Sequence, residues 1–386
     1  MNVCGVICEY DPFHKGHAYH LKKAREQSQA DYIICVMSGS FTQRGMPALL
    51  PMHARAEMAL RCGADIVLQL PYAFSVREAE YFALGGVHIL NALACVTHLA
   101  FGSETDDLPL MQNAAHLLEQ PDDAFQLLLQ KGLEQGNSHA EALGRALAQR
   151  LAVAPDLLKS PNTALGICYL RALLRLGSPI QPIAVRREYG YHDPELDRFP
   201  SATALRGAIL RGDWTGIEQG VPREALPVLK TAIRDGLCPP SAMDSLLLAK
   251  LLLATPDQLA RLPGVSEGLE MRMMQAAEKA VSREQLISLI KTRRYTQGRI
   301  SRALCHMLMD VQKSDLPALP DYVRILGFRS SARPLLRQMQ KSDLLLVTRP
   351  AGHAVCTPDL KADDMRQILA ARPRGDSYRQ APVIIP

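Results

Sequence analysis

Val3-Cys4-Gly5-Val6-Ile7-Cys8-Glu9-Tyr10-Asp11-Pro12-Phe13-His14-Lys15-Gly16-His17 is the stretch that decides the fold. It predicts an apolar strand, a turn marked by proline, and a helix opened by His-x-Gly-His. A strand that feeds a helix start is a ready anion site, because unpaired amide groups and the helix dipole both face the ligand. Two histidines three apart fall on nearly the same face of the first turn, so both can address one phosphate. Gly16 between them removes a side chain that would hold a nucleotide away from the backbone.

Outward from this stretch the pattern repeats. Tyr32–Met37, Ile66–Leu70, Val96–Phe101 and Ile180–Arg186 read as further strands, and His17–Gln29, His53–Cys62 and Arg77–Leu93 as helices between them. Short continuous apolar runs alternating with helices predict an α/β fold with a doubly wound parallel sheet. In such sheets ligands sit beyond the carboxyl ends of the strands. Asp11–His17, Ser38–Gly45, Pro71 and Gly102–Glu104 all follow strands. Beyond about residue 220 helices dominate, at Ser241–Ala254, Glu267–Ala280, Arg283–Lys291 and Gly298–Val311. The expected organisation is therefore a catalytic domain over residues 1–220 and a mainly helical region over 221–386. The tail from Arg372 is expected to be loosely held.

The bulk numbers restrict the class. The 386 residues are 47% hydrophobic and 22% charged, with a mean hydropathy of −0.04, the composition of a globular protein with a sizeable core. No run approaches the ~18 apolar residues of a membrane span, and the first residues lack a basic leader, so a cytoplasmic location is expected. Nine cysteines stand singly with no Cys-x-x-Cys pair, which argues for reduced thiols and against a zinc site. Charge is uneven. Between Lys291 and Lys341 eleven Lys or Arg face three Asp, a net +8 in a chain whose total is +5. Within it, Lys291, Arg293, Arg294, Tyr295, Arg299 and Arg302 combine cations with an aromatic ring, a pattern suited to phosphate contact and base stacking.

His14-Lys15-Gly16-His17 together with Ser201-Ala202-Thr203-Ala204-Leu205-Arg206 resembles the two signatures of the HIGH-type nucleotidyltransferases. The match narrows through Met37-Ser38-Gly39-Ser40-Phe41-Thr42-Gln43-Arg44-Gly45, Gly63–Pro71, Phe101-Gly102-Ser103-Glu104, Ser160-Pro161-Asn162, Arg186, and Tyr191-His192. With the basic segment and Arg324–Phe328, these are similar to the bacterial tRNA(Met) cytidine acetate ligase family.

The resemblance implies a Rossmann-like sheet and an enzyme that activates acetate with ATP as acetyl-adenylate, releasing pyrophosphate. It also implies transfer of the acetyl group to N4 of the wobble cytidine in elongator tRNA(Met). Carried over to this chain, the ATP contacts are Ile7, Cys8, Glu9, Tyr10, Asp11, Pro12, Phe13, His14, Lys15, Gly16, His17, Ala18, Tyr19 and His20. Gly102, Asn162, Arg186 and the neighbouring Arg187 complete that set. Residue chemistry adds Arg206, whose planar fork suits phosphate oxygens, and Ser201, which is also a helix cap. His14 and His17 are the expected catalytic pair and Lys291–Arg302 the expected tRNA surface. Magnesium is expected to accompany the nucleotide, with Asp11, Asp65 and Glu104 as outer partners and no dedicated protein site. In the family pattern Asn stands at the place of Asp11, often Asn at Lys15, Glu at Met46 and commonly Lys at His53. Two other readings fit parts of the chain: a small-molecule adenylyltransferase, and an RNA-binding protein with a degenerate nucleotide site.

Overall fold

The structure is a computed structural model, and it describes residues 1–137, 139–154, 158, 160–186 and 201–386. Eight strands form one sheet: β1 Val3–Cys8, β2 Tyr32–Ser38, β3 Ile66–Leu70, β4 His98–Ser103, β5 Gln181–Arg186, β6 Tyr322–Arg329, β7 Leu345–Val347 and β8 Val383–Ile385. Their order is β5-β4-β1-β2-β3-β6-β7, with β8 also paired to β6. The first five strands run parallel, β6 runs antiparallel to β3, and β7 and β8 run parallel to β6. Nearly every residue of β1, β2 and β3 is buried, as continuous apolar strands covered on both faces require.

One face carries helices Ala79–Ala92, Leu108–Glu119 and Pro161–Arg175. The other carries Lys15–Ser28, Met52–Arg61, Ala202–Arg211 and Leu226–Asp235. After β3 the chain crosses to the far side of β1 to place β4. The strand order therefore reverses between β1 and β4, the position where open α/β sheets form their binding crevice. A third core, built by the helices between Asp244 and Met309, also takes in Phe41 and Tyr72 from the strand-end loops.

The region beyond residue 220 is mainly helical, but three of the eight strands come from it. The sheet thus continues across the division expected near 220. The tail beyond Arg372 is likewise fixed at its end, because β8 pairs with Gly327–Arg329. Leu226–Leu253 is long and apolar enough to cross a bilayer by length and composition alone. Gly236, Pro239 and Pro240 divide it into separate helices, whose Val228, Leu229, Leu247 and Leu251 face inward.

Candidate active site

The loop after β1 is built on a buried aromatic floor. Tyr10 adopts a left-handed backbone (φ +50°) that turns the chain out of the strand. Its ring and that of Phe13, both buried, pack at 4.8 Å from each other and at 4.7 and 5.6 Å from His17. His14 is the extended residue before the helix Lys15–Ser28, and its carbonyl accepts from the amides of His17 and Ala18 at 2.9 and 3.1 Å. The imidazoles of His14 and His17 stack with centroids 3.6 Å apart. The His14 amide donates to His17 Nδ1 at 3.3 Å. That bond requires an unprotonated Nδ1, so in neutral His17 the proton sits on Nε2. The ring is thereby a donor at Nε2.

The second motif closes on the first. Ser201 Oγ caps the helix Ala202–Arg211 by accepting from the Ala204 amide at 3.2 Å, and Leu205 is buried in the core that holds Tyr10 and Phe13. One turn on, Arg206 Nη1 donates to the Asp11 carbonyl at 2.6 Å and Nη2 to Thr203 Oγ1 at 2.9 Å. Two segments almost 200 residues apart are thus joined directly. At the neighbouring strand end, Gly102 and Ser103 of β4 lie opposite Val185 and Arg186 of β5. Arg186 is exposed and 3.4 Å from Asp106. Asn162 stands in the first turn of Pro161–Arg175, its amide nitrogen 2.6 Å from Glu104 Oε1. Arg187, Tyr191 and His192 lie outside the described residues. The other members of the expected ATP set therefore collect at the carboxyl ends of β1, β4 and β5.

The carboxylates are committed elsewhere. Asp11, which breaks the family pattern, points its Oδ1 at the Leu49 amide (2.9 Å) and is buried. Glu9 Oε1 accepts from the Gln43 amide at 2.6 Å and the Ser38 hydroxyl at 3.3 Å; burial pushes its carboxyl up. Asp65 holds Arg25 at 2.5 Å and the Ile33 amide at 2.7 Å. Burial works to raise Glu104, but hydrogen bonds from Asn162 and Thr163 outweigh it and hold the carboxyl at about 2. Each of the three expected outer partners accepts hydrogen bonds from the protein, and the described residues contain no group of three or more His, Cys, Asp or Glu suited to a metal. His53 is buried, and burial, helped by Arg324 and Arg55, lowers its pKa to about 3, leaving a neutral ring.

The expected RNA segment is arranged differently from its sequence reading. Tyr295 is only 8% exposed and its hydroxyl donates to the Glu267 carbonyl at 2.5 Å, so its ring offers no stacking platform. The cause is the turn at Thr292, whose Oγ1 accepts from the Arg294 and Tyr295 amides and folds the ring inward. Arg294 pairs with Glu267 at 2.9 Å, Arg299 donates to the Gly264 carbonyl and to Ser266 Oγ at 2.7 Å each, and Arg302 is 3.5 Å from Glu78. Lys291 and Arg293 are exposed.

Sequence reasoning missed the residues that hold the strand-end loops. Arg55, fully buried, donates to the carbonyls of Glu9 (2.6 Å), Ser38 (3.2 Å) and Leu50 (3.3 Å), and also to Gly39. Its signal was an arginine on the buried face of a helix beside Met52, Ala56 and Ala59. From the far end of the chain, Arg366 donates to the carbonyls of Ala48 and Leu49 at 2.9 and 2.8 Å. Asp363 accepts from Ser40 Oγ at 2.6 Å and Arg324 at 3.1 Å, and Asp359 accepts from the Tyr72 amide at 2.7 Å. These three residues share one face of the helix Thr357–Leu369 and are buried. No periodicity connects that helix to residues 38–50.

A family model described as HIGH Nucleotidyl Transferase matches residues 1–380. The chain is 37% identical to the tRNA(Met) cytidine acetate ligase of Halothermothrix orenii, over 92% of this chain and 88% of that protein. It is also 37% identical to the one of Acetivibrio thermocellus, over 96% and 94%. The crystal structure of Thermotoga maritima TmcAL bound with alpha-thio ATP superposes with a TM-score of 0.91 at 32% identity, covering all of both chains. With both signature motifs meeting at one strand end and these likenesses spanning nearly its whole length, the chain belongs to the HIGH nucleotidyl transferase family, among the tRNA(Met) cytidine acetate ligases.

Proposed function

We propose that this protein is an ATP-dependent ligase that joins acetate to N4 of the wobble cytidine of elongator tRNA(Met). The observation that carries the reading is the Arg206–Asp11 contact, which seals Ser-x-Thr-x-Leu-Arg onto His-x-Gly-His at the crevice between β1 and β4. An acetate oxygen attacks the α-phosphorus of ATP, the bond to the bridging oxygen breaks, and pyrophosphate leaves. The barrier falls when fixed donors meet charge growing on the transferring and leaving oxygens. His17 Nε2–H, the ring of His14 stacked on it, the first amides of the helix Lys15–Ser28 and the Arg206 guanidinium are those donors. In the second step the cytidine amine attacks the acetyl carbonyl. The C–N bond forms, AMP departs with its oxygen, and the amine loses a proton.

Gly102, Asn162 and Arg186 take the nucleoside side of ATP across β4 and β5. Ile7 packs its side chain against Gly86 and Phe13 is buried in the floor, so both serve through the main chain. Magnesium bound with ATP would neutralise phosphate charge, and Asp11, Asp65 and Glu104, each already accepting from protein donors, would stand as its outer partners. Of the basic segment, Lys291, Arg293 and Arg294 are exposed toward tRNA, Arg294 while paired with Glu267, and Arg299 lies at their border.

The test is pyrophosphate exchange into ATP with and without acetate. Exchange that requires acetate, with acetyl-AMP recovered, supports the ligase. Exchange that ignores acetate and yields no acetyl-AMP would point to a small-molecule adenylyltransferase.

A further inference from the structure

The loop after β2 ends in a tight turn held through its backbone from several sides. The Gly45 amide donates to the Thr42 carbonyl and the Thr42 amide to the Met46 carbonyl, each at 2.9 Å, and Phe41 bridges to Pro47. On one side the Gln43 amide is fixed to Glu9 of the nucleotide loop at 2.6 Å. On another the Gln43 side chain donates to the Arg77 carbonyl at 3.0 Å. On the third, Ser301 Oγ of the helix Gln297–Met309 donates to the Arg44 carbonyl. Gly45 sits at φ +68°, where a Cβ would fall 2.6 Å from the Ser301 carbonyl and 2.8 Å from the Arg302 amide. Only glycine permits so close an approach of turn and helix.

What this rigid turn presents is Arg44. Its side chain is exposed and, among the described residues, has no hydrogen-bond or ion-pair partner, whereas Arg294, Arg299 and Arg302 each have one. The field of the buried Glu9 reaches it, yet Glu9 takes its hydrogen bonds from Gln43 and Ser38. A guanidinium held on a fixed turn, with its five donors unspent, suits an oxyanion contacted at two points. Its place decides which oxyanion. Arg44 follows β2, on the side of β1 away from Gly102, Asn162 and Arg186, and is locked to the helix that carries the end of the basic segment.

We infer that Arg44 binds a phosphodiester of the acceptor RNA, positioning the strand at the junction between the nucleotide loop and the helix Gln297–Met309. This rests on the ligase reading above. Arg44 is a positioning residue, because it holds the RNA beside the acetyl-adenylate without touching the reacting atoms.

The experiment measures the Kd of unmodified tRNA(Met) for the full chain, Arg44→Ala and Arg44→Lys across a salt series, with the Kd of ATP in parallel. Arg44→Ala is expected to weaken tRNA about tenfold near 0.1 M salt and to reduce the slope of log K against log salt by about one. Arg44→Lys is expected to keep the slope, which a merely structural role of the guanidinium would not produce. Unaltered tRNA affinity and slope in Arg44→Ala would overturn the inference. So would a loss confined to ATP, which would make the bound anion a nucleotide phosphate. Failure of the ligase reading shows separately, as absence of acetate-dependent acetyl-AMP from the unsubstituted protein.

Discussion

The loop Glu9–His17 and the segment Lys291–Arg302 were the two most suggestive stretches in the chain, and the fold treats them oppositely. In the first, a floor of Tyr10 and Phe13 carries the stacked His14 and His17 at the start of a helix. In the second, Tyr295, Arg294, Arg299 and Arg302 satisfy Glu267, Gly264, Ser266 and Glu78 of the protein itself. The difference separates two kinds of signal. A motif with fixed spacing after a strand constrains geometry, since His-x-Gly-His has its meaning only at a helix start. A basic, aromatic composition constrains nothing about direction, and folding consumes part of it internally. Surface charge has to be counted after the protein's own acceptors have been served.

That contrast can be broken in several ways. The largest expected effect tests whether the strand-end loops depend on the distant helix. Asp363→Ala removes the carboxylate paired with Arg324 at 1% exposure, and should cost about 3–5 kcal/mol, read as a lower urea midpoint. A midpoint unchanged from wild type would mean that the helix Thr357–Leu369 merely covers the sheet. His17→Ala should lower adenylate formation by about 100- to 1000-fold, the scale for losing a fixed donor to a transition-state oxyanion. Its tRNA affinity should stay within about twofold, and an equal loss of both would merge the two regions into one surface.

Lys291→Ala with Arg293→Ala should weaken tRNA binding by about tenfold and lower the salt slope by about two, because both cations are exposed. Tyr295→Phe keeps the ring and removes the Glu267 bond, so it should cost about 1 kcal/mol of stability without altering RNA affinity. A drop in RNA affinity for that variant would restore a direct role for the hydroxyl. The smallest effect is in acid. With Glu104 held at about 2 against an ordinary 4.5, its hydrogen bonds to Asn162 and Thr163 stabilise the fold above about pH 4.5. That contribution is lost as pH falls from there toward 2. The stability gap between wild type and Glu104→Gln should therefore be full at pH 6 and close through that window.

The first five strands were legible because each is a short apolar run followed by turn residues, and their observed ends lie within two residues of expectation. The meeting of the two motifs was legible too, although the bond that joins them, from Arg206 to the Asp11 carbonyl, involves a backbone atom that no side-chain pattern announces. Tyr322–Arg329 was not read as a strand of the sheet, for two physical reasons. Arg324 breaks its apolar run, and that charge is met by Asp363 and the Ser377 carbonyl, 39 and 53 residues later. Gly327 reads as a turn, yet it is there because a Cβ would meet Leu60 and the Val383 carbonyl at 2.8 Å. Asp11 looked like a carboxylate opposed to a triphosphate. Its side chain accepts instead from the Leu49 amide, and its backbone oxygen is bound by Arg206. Such long-range polar pairings carry no local period, and this places them beyond pattern reading.

The central claim is tested most directly by nucleoside mass spectrometry of elongator tRNA(Met) incubated with the protein, ATP and isotope-labelled acetate. Labelled acetyl on the wobble cytidine, dependent on ATP and lost in His17→Ala, is the expected result. Labelled AMP esters absent and the cytidine unmodified, while the protein still hydrolyses or exchanges ATP, would contradict it.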